Sequence, residues 1–221
     1  MPKTSDNPIE HAVKLLHKGE NQEAVDLLVD YLQKRPDSLE GWYNLGYAYM
    51  ELDRSEEAVK AYDEALAIDN QIFEIWFNKA NALYDLADFK AAKECYEKAL
   101  EINPDDPEAW NNLGNCYSRL AEGQKALEAY TRAVALDPGY AEAFYNKANC
   151  HFIEEDDEHA VAYAELAVRL KPQLAERVSQ WIDVARDRLD AKKHEEERRK
   201  RAPKLDESVN RNLPKDVGDV D

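Results

Sequence analysis

The sequence predicts an all-α chain, an α-solenoid of tandem helix-turn-helix units closed by a C-terminal helix. Three observations predict it. An Asn follows an aromatic pair, or the Trp-Asn of WNN, at 44, 78, 112 and 146, a step of 34 taken three times. A fixed period of that size is the signature of a stacked repeat array. Within each period, apolar and small residues recur at i, i+3, i+4 and i+7, which is one face of a helix rather than the alternation of a strand. Glycine is scarce, 7 in 221 residues, and the abundant Ala, Leu, Glu and Lys are good helix formers.

The units are counted from Leu39, Phe73, Pro107 and Ala141, which gives 39–72, 73–106, 107–140 and 141–174. Position 4 of each holds Trp42, Trp76, Trp110 or Phe144, and position 8 holds Gly46, Ala80, Gly114 or Ala148. Position 11 holds Tyr49, Leu83, Tyr117 or His151, and these three positions define the stripe of a first helix, A. Ala58, Ala92, Ala126 and Ala160 at position 20 start the stripe of a second helix, B. Tyr62, Tyr96, Tyr130 and Ala164 at position 24 continue it, and Ala65, Ala99, Ala133 and Ala167 at position 27 complete it. Small residues let A and B approach while the large aromatic residues fill the space beside them. Short polar stretches such as Asp53-Arg54-Ser55 separate A from B, and Pro104, Pro138 and Pro172 at position 32 stop B.

In the same register, residues 5–38 form a degenerate first unit, with Pro8 where the aromatic residue would stand and Ala12, Leu15, Gly19, Ala24, Leu28 and Pro36 in place. Proline is acceptable in the first turn of a helix. Leu174, Val178, Trp181, Ile182, Ala185 and Leu189 give 175–201 the stripe of one more helix, whose far end, KKHEEERRKRA, lacks an apolar face. Residues 202–221 are polar and poor in aromatic residues, and they are expected to be disordered.

The stretches WYNLGYAY and WNNLGNCY, with Ala58/Tyr62 and Ala126/Tyr130 after them, resemble the tetratricopeptide repeat pattern W-x2-L-G-x2-Y, A-x3-F, P. The resemblance spans about residues 5 to 174. It implies a right-handed superhelix with A helices lining a concave groove, and a non-catalytic adaptor or assembly scaffold that binds an extended segment of another protein there. The family's groove positions fall on Tyr43, Asn44, Tyr47, Met50, Phe77, Asn78, Asn81 and Tyr84 in the first half of the array. In the second half they fall on Asn111, Asn112, Asn115, Arg119, Tyr145, Asn146, Asn149 and Phe152. An Asn amide both donates and accepts, so it pairs with a peptide backbone whatever its sequence. Tyr and Phe add rigid apolar area at small entropic cost. Glu40, Glu74, Glu108, Glu142 and Glu176 at position 2 favour Lys or Arg in the ligand. Those acids, with Glu10 and Gln180 in the terminal elements, also exclude the Lys/Arg clamp by which some members hold chaperone C-terminal carboxylates. The alternative is a structural, self-associating module that uses the array ends or convex face and leaves the groove idle.

Charge narrows the partner class. Residues 1–174 carry 17 Lys plus Arg against 34 Asp plus Glu, a net of −17, and residues 175–221 carry 12 of each. An acidic array repels phosphates, so neither nucleic acid nor a membrane surface is expected as partner. Mean hydropathy is −0.75, and the N-terminus MPKTSDNPIEH has no apolar signal core. Cys95, Cys116 and Cys150 form no C-x-x-C pair. They are expected as buried thiols in a reducing, cytoplasmic setting. No H-E-x-x-H, Walker or G-x-S-x-G motif occurs, so neither enzyme activity nor a cofactor is expected. His151 is assigned to packing, and the acidic run Glu154–Glu158 to a solvated turn. Lys79 and Lys147, where the family prefers Leu, are expected to lay their stems along the core and keep their heads in water.

Overall fold

A computed structural model describes residues 7–201, so the expectation of disorder over 202–221 lies outside the described residues. Those residues contain helices and no strand. Five helix pairs follow one another: α1 (Pro8–His17) with α2 (Asn21–Lys34), α3 (Leu39–Met50) with α4 (Ser55–Ile68), α5 (Phe73–Asp85) with α6 (Phe89–Ile102), α7 (Pro107–Arg119) with α8 (Gly123–Leu136), and α9 (Ala141–Ile153) with α10 (Asp157–Leu170). Each odd helix packs against its own even partner, and that partner packs against the next odd helix. The core therefore runs along the stack as a chain of adjoining clusters, as expected when each repeat buries its apolar face against its neighbours.

The turn inside each pair is one device used five times. The residue at position 15 has positive φ in every unit: Gly19, Asp53, Ala87, Ala121 and Glu155. Around it the amide of position 16 donates to the carbonyl of position 11, as Arg54 to Tyr49, Asp88 to Leu83, Glu122 to Tyr117 and Asp156 to His151, each at 2.9 Å. This is a Schellman closure, which satisfies the carbonyls left over at a helix C-terminus. It also fixes the side chains of positions 11 and 16 beside each other.

The tryptophans at position 4 do more than fill space. The indole N–H of Trp42 donates to the carbonyl of Pro36, that of Trp76 to Asn70 and that of Trp110 to Pro104, at 2.8–2.9 Å. Each bond ties an A helix to the loop that ends the preceding unit. The glycines at position 8 have a steric origin. A Cβ on Gly46 would stand 2.5 Å from the Tyr62 ring, and one on Gly114 2.6 Å from the Tyr130 ring.

Residues 175–201 are not one continuous helix. A 3-10 turn (Pro172–Leu174) leads into α11 (Ala175–Ser179), and α12 (Ile182–Arg201) starts after a break at Gln180 and Trp181. The Ser179 hydroxyl donates to the Glu176 carbonyl at 2.8 Å, a bond of the kind that bends helices. The break turns Trp181 and Ile182 into the last core cluster, on Phe144, Tyr145 and Phe152. Asp157 also departs from the expectation of a solvated turn. Its side chain is 0% exposed and meets Arg188 Nη2 at 2.7 Å and Lys192 Nζ at 2.9 Å, both from α12.

The two position-7 lysines differ from each other. Lys79 keeps an ion pair with the exposed Asp63. Lys147 is buried instead of solvated, with its ammonium 4.3 Å from the Tyr163 ring centroid. The desolvation of that head is offset in part by the ring's electron-rich face. Both lysines point to the B-helix side and line none of the groove recesses.

Candidate functional site

Two adjoining recesses of about 280 Å³ each lie along α5, α7 and α9, and they share Tyr84 and Asn115. The first is lined by Asn81, Asn112, Asp85, Glu108 and Tyr96, and the second by Asn146, Asn149, Arg119, Tyr145 and Arg177. Seven of the residues expected in the groove from sequence meet there, then: Asn81, Tyr84, Asn112, Asn115, Arg119, Asn146 and Asn149, together with the rim of Tyr145. Tyr43, Asn44, Tyr47, Phe77 and Asn78 stand on α3 and α5, away from both recesses.

The asparagine ladder is partly spent on the fold. Asn78 Nδ2 donates to the Tyr43 hydroxyl at 3.2 Å, and Asn146 Nδ2 to Asn111 Oδ1 at 2.9 Å. Both bonds join position 6 of one unit to position 5 of the unit before. Phe77 holds position 5 before Asn112 and offers no acceptor, so Asn112 Nδ2 turns to Asn81 Oδ1 at 3.5 Å. Asn81 and Asn115 also accept the hydroxyls of Tyr96 and Tyr130 from the B helices. Asn44 donates to the Glu40 carbonyl of its own helix at 2.7 Å. The Asn149 side chain makes no hydrogen bond to another described residue, and its amide is available.

Three expected groove residues are withdrawn from solvent. Asn111 and Tyr145 are 4% and 7% exposed, because in these two units position 5 turns toward a neighbouring element rather than the open side. Arg177 lies 4.1 Å over the Tyr145 ring. Phe152 is half-buried, with Trp181 at 4.9 Å on one ring contact and Arg188 at 4.7 Å on another. The C-terminal helices thus close the last end of the groove. Sequence reasoning missed Asp85, although it holds position 13 of its unit as Arg119 does, and Arg177, which carries no repeat signal. It read Tyr96 and Tyr130 as core only, although their hydroxyls hold the groove amides in place.

Charge along the recesses changes sign. Asp85 and Glu108 line one, and Arg119 and Arg177 line the other. Desolvation by burial, with Asp106 nearby, raises the Glu108 pKa above the ordinary carboxylate value. The three thiols are free and buried. Burial pushes Cys95 up to about 11 and Cys116 up to about 12, so neither is a reactive thiolate near neutral pH. No described helix is long and apolar enough to cross a membrane.

The sequence matches family models of the tetratricopeptide repeat at 39–71, 73–106, 107–140 and 141–174. A search among curated proteins finds no match. Among solved structures, MamA from Desulfovibrio magneticus is similar at a TM-score of 0.73 and 22% identity, covering 79% of this chain and 99% of that one. YrrB, described as a TPR protein with an unusual peptide-binding site, is similar at 0.69 and 24%, covering 84% and 90%. PilF of Pseudomonas aeruginosa is similar at 0.67 and 19%, covering 83% and 86%. At these identities the likeness is one of fold. With models covering four consecutive units, more than half of its length, the chain belongs to the tetratricopeptide repeat family.

Proposed function

We propose that the chain is a non-catalytic adaptor or assembly scaffold that holds an extended segment of another protein in the concave groove between α5 and α9. The fold supports a protein–protein interaction scaffold. The observation that carries the finer reading is the pair of adjoining recesses, joined at Tyr84 and Asn115, with the unengaged Asn149 amide in the second. An amide there exchanges hydrogen bonds with a passing backbone, and Tyr84 offers a flat apolar face. The change of sign along the groove favours a segment with a basic side chain near Asp85 and Glu108 and an acidic one near Arg119 and Arg177. That YrrB is described as carrying a peptide-binding site agrees with this use of the fold.

The test is selection of displayed random peptides on the purified protein, repeated on Asn149→Ala/Glu108→Lys. The Asn149 side chain makes no hydrogen bond and Glu108 is exposed, so folding is expected to survive. Selected peptides should bind the variant about ten-fold more weakly, equivalent to ~1.4 kcal/mol. Equal binding of the same peptides by both proteins would sink the groove reading. Asn78→Ala/Asn112→Ala/Asn146→Ala is the wrong variant for this purpose. It removes three bonds between units, each worth ~0.5–1.5 kcal/mol, and a lowered Tm is expected before any effect on binding.

A self-associating module is the second reading. The exposed Leu170 of α10 and Val184 of α12, with an apolar recess lined by Val168, Val178 and Ile182 at the same end of the array, favour it. A solution mass that doubles with concentration and reverts on Val184→Lys would support it over the groove.

A further inference from the structure

Position 11, position 16 and position 19 meet in every unit, because the turn hydrogen bond places 11 beside 16 and one helical turn places 19 over 16. In two units this corner is an ordinary ion pair under an aromatic ring. Arg54 pairs with Glu57 at 2.7 Å and lies 4.6 Å over Tyr49, while Lys125 pairs with Glu122 and lies 5.4 Å over Tyr117. The unit 73–106 has Leu83, Asp88 and Ala91 there. Only the last unit fills the corner with three metal-ligating side chains, His151, Asp156 and His159.

Their geometry is convergent. Asp156 Oδ2 stands 3.0 Å from His151 Nδ1 and 2.9 Å from His159 Nδ1. One ligand atom from each residue lies within 4.8 Å of the others. The two imidazoles stack at 5.1 Å, and His151 also stacks on Tyr163 at 5.6 Å, so the rings are held rather than free. Bonds of about 2.0–2.1 Å in a tetrahedral zinc site set its donors roughly 3.4 Å apart. Both His–Asp separations are a little shorter than that, at hydrogen-bond length, so the carboxylate needs only a small retreat and the two imidazoles a small approach. His151 is 13% exposed and Asp156 41%, so the cluster opens to solvent on one side. It borders a recess of about 380 Å³ whose lining shares no residue with the groove.

We propose that His151, Asp156 and His159 bind a divalent transition-metal ion of the zinc class at the corner between α9 and α10, with a fourth position left to water or an outside ligand. Two imidazoles and a carboxylate suit zinc, nickel or copper rather than magnesium or calcium, which prefer all-oxygen shells. The metal takes the place of the direct contacts between the rings and the carboxylate and ties the last helix pair together across its turn. Glu154, Glu155 and Glu158 flank Asp156 in the sequence. Lys147 opposes the metal from the Tyr163 side and keeps the affinity below that of a buried structural site.

The experiment uses the full chain without an affinity tag, freed of metal by a chelator and titrated with zinc sulfate by calorimetry and by thermal melting, with magnesium chloride as control. The expected result is one equivalent of zinc bound, a raised Tm, and no response to magnesium. His159→Lys copies the residue of the unit 107–140 at this corner, so it keeps the fold and should weaken zinc binding at least ten-fold and abolish the Tm shift. His159→Ala, at an exposed site, gives the same readout should the lysine disturb the turn. Zinc binding of equal strength in wild type and either variant would assign the ion to the exposed His11, His17 or His194 and overturn the proposal. So would the absence of binding to wild type.

Discussion

Replacing Trp181 with Ala is expected to cost about 3–5 kcal/mol, the range for removing a large aromatic residue from a core. Trp181 is 8% exposed and packs on Phe152 at 4.9 Å, with Val178, Ile182 and Tyr145 in the same cluster. In a linear array each unit is stabilised by its neighbours alone, so the loss should stay local. Amide exchange should quicken in α9 to α12 and remain unchanged in α3 to α6. Trp181→Phe gives the contrast. The indole N–H is buried without a partner, so Phe removes an unpaired donor as it removes area. Its cost should be on the order of 1 kcal/mol. A global loss of protection, or equal costs for Ala and Phe, would show that Trp181 does not act as a local anchor.

The double variant Arg188→Ala/Lys192→Ala is expected to lower stability by about 2–3 kcal/mol. Stripping a buried ion of its partners costs ~3–5 kcal/mol when the whole set is buried. Here Asp157 is fully enclosed, but Arg188 is 31% and Lys192 57% exposed, so solvent screens part of their attraction. The two cations also hold backbone carbonyls, Arg188 that of Phe152 at 3.3 Å and Lys192 that of Glu155 at 3.0 Å. Adding Asp157→Leu to the double variant should recover most of the loss, because an apolar side chain needs no counter-charge. Urea denaturation of the double and triple variants measures both effects. A triple variant no more stable than the double would mean that the missing carbonyl contacts, and not the stranded carboxylate, set the cost.

Much of the architecture was legible from residue spacing. The 34-residue step, the small residues at positions 8, 20 and 27 and the prolines at position 32 located ten helices and their order. They did so because a repeat has one solution for burying its stripe, and the chain states that solution four times. The groove was legible less well. Periodicity marks which residues lie on a face, but position 5 lies at the edge of that face. Whether it opens to solvent or turns into the next A helix depends on the neighbour. Tyr43 stays half-exposed, while Asn111 and Tyr145 are buried.

Sequence alone, then, determined the helix pairs, their period and the all-α class, since these follow from the pattern of apolar and small residues along the chain. Only the tertiary structure decided where the polar side chains spend their bonds. Asn146 reaches Asn111 and Asn149 reaches nothing, though both carry the same amide, because each bond depends on an acceptor from another unit. Asp157 stands in a run that reads as solvated, and α12 folds back to bury it. Such pairings join residues about 35 positions apart in sequence, and no local pattern records them.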